Sequence, residues 1–237
     1  MNDRADICII GAGLMGHGIA YVCAEAGHRV RVFDRSQEAL NSLHERLTQI
    51  SELFGDGPEI AESIKAAAHL PTAAKGADFV IEAAAEKIEV KQFIVAELEA
   101  VLTPQAIIAT NTSALPITLI AENASYPDRI VGSHFWNPPH LVPLVEVVQA
   151  EKTSDETVKR AMELFNSTGH RAVHVKKDVP GFIGNRMQHA LKREAIAIVA
   201  SGICDAETVD DVVKLGFGSR LSVLGPLEQS DLVGLNL

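Results

Sequence analysis

A short run of apolar residues, Ile7-Cys8-Ile9-Ile10, leads straight into Gly11-Ala12-Gly13-Leu14-Met15-Gly16. Such a run, closed by a turn signal, reads as a strand buried on both faces. Apolar residues then recur at helical spacing over 14–26, and Gly27 provides a stop. Strand, three-glycine turn and helix in that order open a βαβ unit. The first glycine permits the tight turn, the second lets backbone approach a pyrophosphate, and the third lets helix and strand pack closely. The helix N-terminus presents unpaired amides to the anion. Gly11, Gly13 and Gly16, with Leu14 and Met15 between them, are therefore candidate contacts to a dinucleotide.

Residues 29–33 alternate and are β-rich, which predicts a second strand. Asp34 closes it, 18 residues after Gly16. A carboxylate there accepts hydrogen bonds from ribose hydroxyls and repels an additional phosphate, so the expected cofactor is NAD rather than NADP. Arg35, next to it, weakly opposes that preference.

Beyond Asp34 the pattern repeats. Ser36 caps a predicted helix over 37–53, which Gly55, Gly57 and Pro58 break, and a shorter helix follows to 68. Strands are predicted at 78–82, 106–109, 130–134, 144–148 and 171–175, with helices at 87–102 and 155–168. This alternation predicts a doubly wound α/β sheet. After Asp178-Val179-Pro180-Gly181 no strand pattern remains, and helices are expected at 183–200 and 206–215. The division is thus a Rossmann-type domain over 1–178 and an α-helical C-terminal domain over 181–237. The last segment reaches Leu237 without a stop signal, the pattern of a helical domain cut short.

Composition narrows the partners. A formal net charge of −10, with no cluster of Lys and Arg, argues against nucleic acid and anionic membranes. No apolar stretch reaches the roughly 20 residues of a membrane span. Cys8, Cys23 and Cys204 are scattered, so neither a disulfide framework nor a metal site is expected, and a reducing, cytoplasmic setting fits.

His134 closes one predicted strand and Glu146 lies 12 residues on, inside another. Histidine titrates near neutrality, and a carboxylate beside it would stabilise the imidazolium, so the two could form a base. From spacing alone they could equally be unrelated surface residues. His140 stands out among the other histidines because it shares the proline-rich loop that follows His134.

Six ordered blocks carry a resemblance: GAGLMGHGIA from Gly11, EKIEVK from Glu86, NTSALPIT from Asn111, HFWNPPHLVPLVEV from His134, KDVPGFIGNR from Lys177 and GPLEQSDLVGL from Gly225. Together they resemble the 3-hydroxyacyl-CoA dehydrogenase family. The resemblance implies NAD-dependent oxidation of a 3-hydroxyacyl-CoA or related 3-hydroxy acid, as in fatty acid metabolism, by a homodimer. It implies His134 as general base, Glu146 as its orienting carboxylate, Ser113 on the reacting oxygen and the nicotinamide ribose, and Asn185 on the substrate. It places Glu86, Lys91 and Asn137 around NAD.

Two departures leave the substrate open. Acyl-CoA members usually carry a lysine-rich helical hairpin after the second strand, where residues 36–70 here hold only Arg46 and Lys65 against six acidic side chains. The proline loop is also altered, as in family members acting on small polar acids such as gulonate or carnitine. A free hydroxy acid is therefore the alternative substrate, with Arg220 as a carboxylate clamp or, equally, a structural ion pair. A non-catalytic NAD-binding protein is the rival reading, which retention of Ser113, His134, Glu146 and Asn185 disfavours.

Overall fold

The computed structural model describes residues 4–234 and divides the chain into two compact units between Ile183 and Gly184. The first holds an eight-stranded sheet: β1 (Asp6–Ile10), β2 (Arg29–Phe33), β3 (Lys65–Ala67), β4 (Phe79–Glu82), β5 (Ile107–Thr110), β6 (Ile130–Phe135), β7 (Leu144–Val148) and β8 (Arg171–Val175). Its helices are α1 (Gly16–Glu25), α2 (Gln37–Asn41), α3 (Leu43–Phe54), α4 (Glu59–Ser63), α5 (Leu70–Ala74), α6 (Ile88–Glu99), α7 (Ile117–Ile120) and α8 (Asp155–Ser167).

The strand order is β3-β2-β1-β4-β5-β6-β7-β8. All neighbours run parallel except β6 and β7, which are antiparallel. The order reverses between β1 and β4, the switch point at which ligands of open α/β sheets collect.

Alternation along each strand divides the core into two layers. Ile7, Ile9, Val30, Val32 and Phe135 pack with α1, α3 and α8 on one face. Cys8, Ile10, Val80, Ile108 and Ile130 pack with α5, α6 and α7 on the other. Each fully buried Val, Leu or Ile contributes about 1.5–3 kcal/mol relative to exposure, so both layers stabilise the sheet.

The doubly wound sheet expected from the sequence is present, with differences in detail. The helix expected over 37–53 is two, because the chain turns at Ser42. Lys65–Ala67, expected within a helix, pairs with Arg31–Phe33 as an edge strand. Lys-Ala-Ala has little intrinsic strand preference, and the open edge of β2 decides its conformation. The short helices α5 and α7 have no periodicity long enough to read.

The second unit contains α9 (Gly184–Ala200), α10 (Ala206–Leu215) and α11 (Pro226–Val233). Asp205 caps α10 by accepting from the Thr208 N–H at 2.8 Å. The end of the block read from Gly225 lies outside the described residues. Among the described residues no helix is long and apolar enough to cross a membrane.

Candidate active site

The glycine turn joins the ends of three strands. Gly11 adopts φ +106°, and a Cβ there would stand 2.5 Å from the Ala83 carbonyl oxygen at the end of β4. Its N–H donates to Phe33 O at 2.7 Å. A Cβ on Gly16 would lie 1.8 Å from Gly11 O, whereas one on Gly13 would meet nothing within 4 Å. Gly11 and Gly16 thus close the turn, and Gly13 faces open space where a pyrophosphate can approach. Leu14 is exposed, while Met15 packs back against the core.

Asp34 has a structural task that its position in the sequence did not reveal. One carboxylate oxygen accepts from Ala12 N–H at 2.7 Å and the other from Ser36 N–H at 2.8 Å. It also borders a cavity of about 600 Å³ whose lining includes Phe33, Leu70, Val90, Phe93 and Ile94. An apolar slot with a carboxylate on its wall suits an adenine and its ribose, so these residues fit a dinucleotide.

Beside it lies a buried charged cluster. Glu82, at the end of β4, is 1% exposed and Lys91 on α6 is 0% exposed. Lys91 Nζ lies 3.0 and 2.9 Å from the two Glu82 oxygens and 3.5 Å from Glu86 Oε2. Thr110 donates to Glu82 Oε2 at 2.6 Å. Lys91 was expected to line the NAD site. Its complete burial leaves it no surface for a ligand, and its contacts are to the two glutamates. Glu86 Oε1 in turn accepts from the Thr112 hydroxyl at 2.6 Å and from the N–H groups of Ser113 and Ala114 at 2.9 and 3.2 Å. Glu86 therefore sets the turn that carries Ser113, whose side is exposed. Burial raises the Glu86 carboxyl, but these hydrogen bonds and the Lys91 charge outweigh it and hold the group below its ordinary 4.5.

His134 and Glu146 are partners. The antiparallel register of β6 and β7 sets them directly opposite each other, and His134 Nδ1 lies 2.7 Å from Glu146 Oε2. Both are buried. Glu146 Oε1 accepts from Ile183 N–H at 3.0 Å, so both oxygens are held. Trp136 and Phe182 flank the imidazole, with ring centroids 5.5 and 5.6 Å away. Asn111 Oδ1 accepts from Phe135 N–H at 3.0 Å and ties the Ser113 segment to β6.

The remaining predicted residues stand on separate elements. Asn137 is exposed at the head of the proline loop. Asn185 is half-buried in the first turn of α9, and Arg220 ends an exposed 3-10 turn, Gly218–Arg220, without an ion pair among the described residues. Sequence reasoning passed over Glu82, Thr110, Asn111 and Phe182. Glu82 carried a faint signal as a carboxylate ending an apolar run; Asn111 and Phe182 lie within blocks that carry the resemblance but had no role there, and Thr110 carried no signal.

The switch-point cleft, its glycine turn and the apolar slot define a dinucleotide-binding α/β protein. Residues 6–179 match the model of the 3-hydroxyacyl-CoA dehydrogenase NAD binding domain, and residues 181–237 that of the 3-hydroxyacyl-CoA dehydrogenase C-terminal domain. The chain belongs to the 3-hydroxyacyl-CoA dehydrogenase family: it is an oxidoreductase, and NAD is its cofactor. It is 37% identical to a 5-formyl-3-hydroxy-2-methylpyridine 4-carboxylate 5-dehydrogenase of Mesorhizobium japonicum, over 98% of this chain and 77% of that one. It is 33% identical to an L-carnitine dehydrogenase of Pseudomonas putida, over 95% of this chain and 71% of that one. A crystal structure of a 3-hydroxyacyl-CoA dehydrogenase from Archaeoglobus fulgidus superposes with a TM-score of 0.87 at 32% identity, covering 98% of this chain and 76% of that one.

Proposed function

We propose that the protein oxidises the hydroxyl-bearing carbon of a 3-hydroxy acid or its CoA thioester, with His134 as general base. The observation that carries this reading is the 2.7 Å contact between His134 Nδ1 and Glu146 Oε2. A carboxylate can only accept, so Nδ1 carries the proton and Nε2 keeps its lone pair for the substrate hydroxyl. As the hydroxyl proton reaches Nε2, Glu146 stabilises the imidazolium that forms. Because Ile183 N–H holds its other oxygen, the carboxylate keeps its orientation. NAD, when bound, accepts the hydride from the same carbon. Ser113 hydrogen-bonds the reacting oxygen from a turn that Glu86 positions, and Asn185 holds the substrate. Asp34, Gly11, Gly13, Gly16 and Asn137 serve the cofactor.

A free hydroxy acid is favoured over a CoA thioester by the surface after β2. Lys65 donates to Glu62 O at 2.7 Å, and residues 36–70 hold two cations against six acidic side chains, so this surface gives little net attraction to an extended, multiply charged phosphate tail. Two relatives are named for a pyridine carboxylate and for carnitine. Arg220 is the candidate clamp. The helical unit exposes Ile196, Leu215 and Leu227, side chains that a homodimer would cover.

The test is NADH formation across a panel of 3-hydroxy acids and 3-hydroxyacyl-CoA thioesters. Turnover of at least one free acid, exceeding that of its thioester, is expected. Inactivity throughout, with NAD still bound, would convert the reading to a non-catalytic NAD-binding protein.

A further inference from the structure

Three basic side chains outside the dyad stand on α1, on α3 and on the proline loop packed against α1. His17 stands on the first turn of α1, Arg46 on α3 and His140 in the loop between β6 and β7. His17 Nδ1 lies 2.7 Å from the Gly13 carbonyl oxygen, which makes this nitrogen the donor. Arg46 Nη1 lies 3.5 Å from the same nitrogen and so meets a donor rather than an acceptor. The rest of the guanidinium is anchored: Nε donates to Ser42 O at 3.3 Å and Nη2 to Ala39 O at 2.8 Å. Nη1 is thereby held in place with its hydrogen-bonding capacity unspent.

His140 completes the group. Its ring meets Phe54 edge-on with centroids 6.1 Å apart. It lies against α1 at Gly18, where a Cβ would stand 3.1 Å from His140 Nδ1. Gly18 is not one of the three fingerprint glycines, and its bare Cα leaves room for this imidazole and for the Pro139 ring, whose Cδ a Cβ would also meet at 3.1 Å. His140 Nδ1 is buried without a hydrogen-bond partner among the described residues.

None of the three pairs with a carboxylate among the described residues, on a chain whose net charge is −10. Asp56, after α3, is engaged by the Tyr21 hydroxyl at 2.6 Å. Burial holds both histidines below their ordinary 6.5. Arg46 lowers His17 further against the opposing Gly13 bond, and His17 lowers His140. A guanidinium without a carboxylate partner, flanked by imidazoles on α1 and on the proline loop that packs against α1, suits an anion.

We propose that Arg46, His17 and His140 form an anion subsite that takes a carboxylate or phosphate of the substrate. The inference rests on the dehydrogenase reading above, and its test separates the two. Inorganic phosphate is titrated into NAD-saturated protein while the ring-proton NMR shifts of His17 and His140 are followed, assigned with His17→Gln and His140→Gln. Saturable shifts of both rings are expected, weakened roughly tenfold or more in Arg46→Ala because a charge-assisted donor is lost. Absent shifts overturn the proposal. So do shifts confined to NAD-free protein, since the groups would then serve the cofactor.

Kinetics identify the source of the anion. For a carboxylate, Arg46→Ala lowers the kcat/KM ratio of a 3-hydroxy acid over its methyl ester by about tenfold or more. For a phosphate, it lowers kcat/KM for the acyl-CoA thioester by a similar factor. A loss in neither overturns the proposal. Gly18→Ala, whose methyl group presses on both His140 and Pro139 with Arg46 left in place, should reproduce the direction of the effect, and unchanged ratios in both variants count against the subsite. A wild-type protein that oxidises nothing in the panel overturns the dehydrogenase reading alone, and the phosphate titration still decides the subsite.

Discussion

The carboxylate of Asp34 accepts a hydrogen bond from the backbone N–H of Ala12 at 2.7 Å. The end of β2 thus braces the turn that leaves β1, independently of any ribose contact. Asp34→Ala removes the acceptor of two amides together with the proposed ribose ligand. The KM for NAD should rise by about tenfold or more, without a matching gain in NADP use, because the turn loses its brace. Asp34→Asn, which keeps one acceptor oxygen, should lose less. An Asp34→Ala enzyme using NADP as well as wild type uses NAD would show that the carboxylate acts by repulsion alone.

The dyad makes a kinetic prediction. His134→Gln should lower kcat by about 10²- to 10⁴-fold, the usual effect of losing a general base. NAD affinity, read by fluorescence titration, should stay near that of wild type because the ring faces Glu146, Trp136 and Phe182. Glu146→Gln should reduce kcat in the same direction. Retained turnover in His134→Gln would remove the residue from the mechanism.

Lys91 and Glu82 form a buried pair, so breaking it from one side should be costly. Lys91→Met leaves Glu82 charged at 1% exposure and should destabilise the fold by about 3–5 kcal/mol in urea unfolding. Adding Glu82→Gln removes the stranded charge and should recover part of the loss. A single-variant cost below about 1 kcal/mol would mean that water reaches Glu82.

Glu86 predicts a pH dependence. Its carboxyl is held below 4.5 in the folded chain because hydrogen bonds from Thr112, Ser113 and Ala114, with the Lys91 charge, outweigh the effect of burial. A carboxyl lowered by folding contributes stability above its unfolded value and loses it as pH falls through the folded one. Glu86→Gln should therefore be less stable than wild type at neutral pH, and the gap should narrow below about 4.5. Urea midpoints across that range measure it. A gap that stays constant with pH would assign the loss to packing.

The sequence by itself determined the sheet's main strands, the glycine turn, and the change to helices after Gly181. These are local: an apolar run, a period or a glycine states its conformation within a few residues. Tertiary structure decided what depends on pairing over distance. The 12-residue spacing of His134 and Glu146 acquires meaning only from the antiparallel register of β6 and β7, which sets them face to face. Lys91, which the resemblance placed around NAD, meets Glu82 because the end of β4 lies beside α6. Lys65–Ala67 became a strand because β2 presented an unpaired edge. Gly18 and His140, 122 positions apart in the sequence, meet only because α1 packs under the loop that leaves β6. In each case the deciding interaction is a backbone register or a packing contact between segments distant along the chain, for which no local pattern of residue types exists.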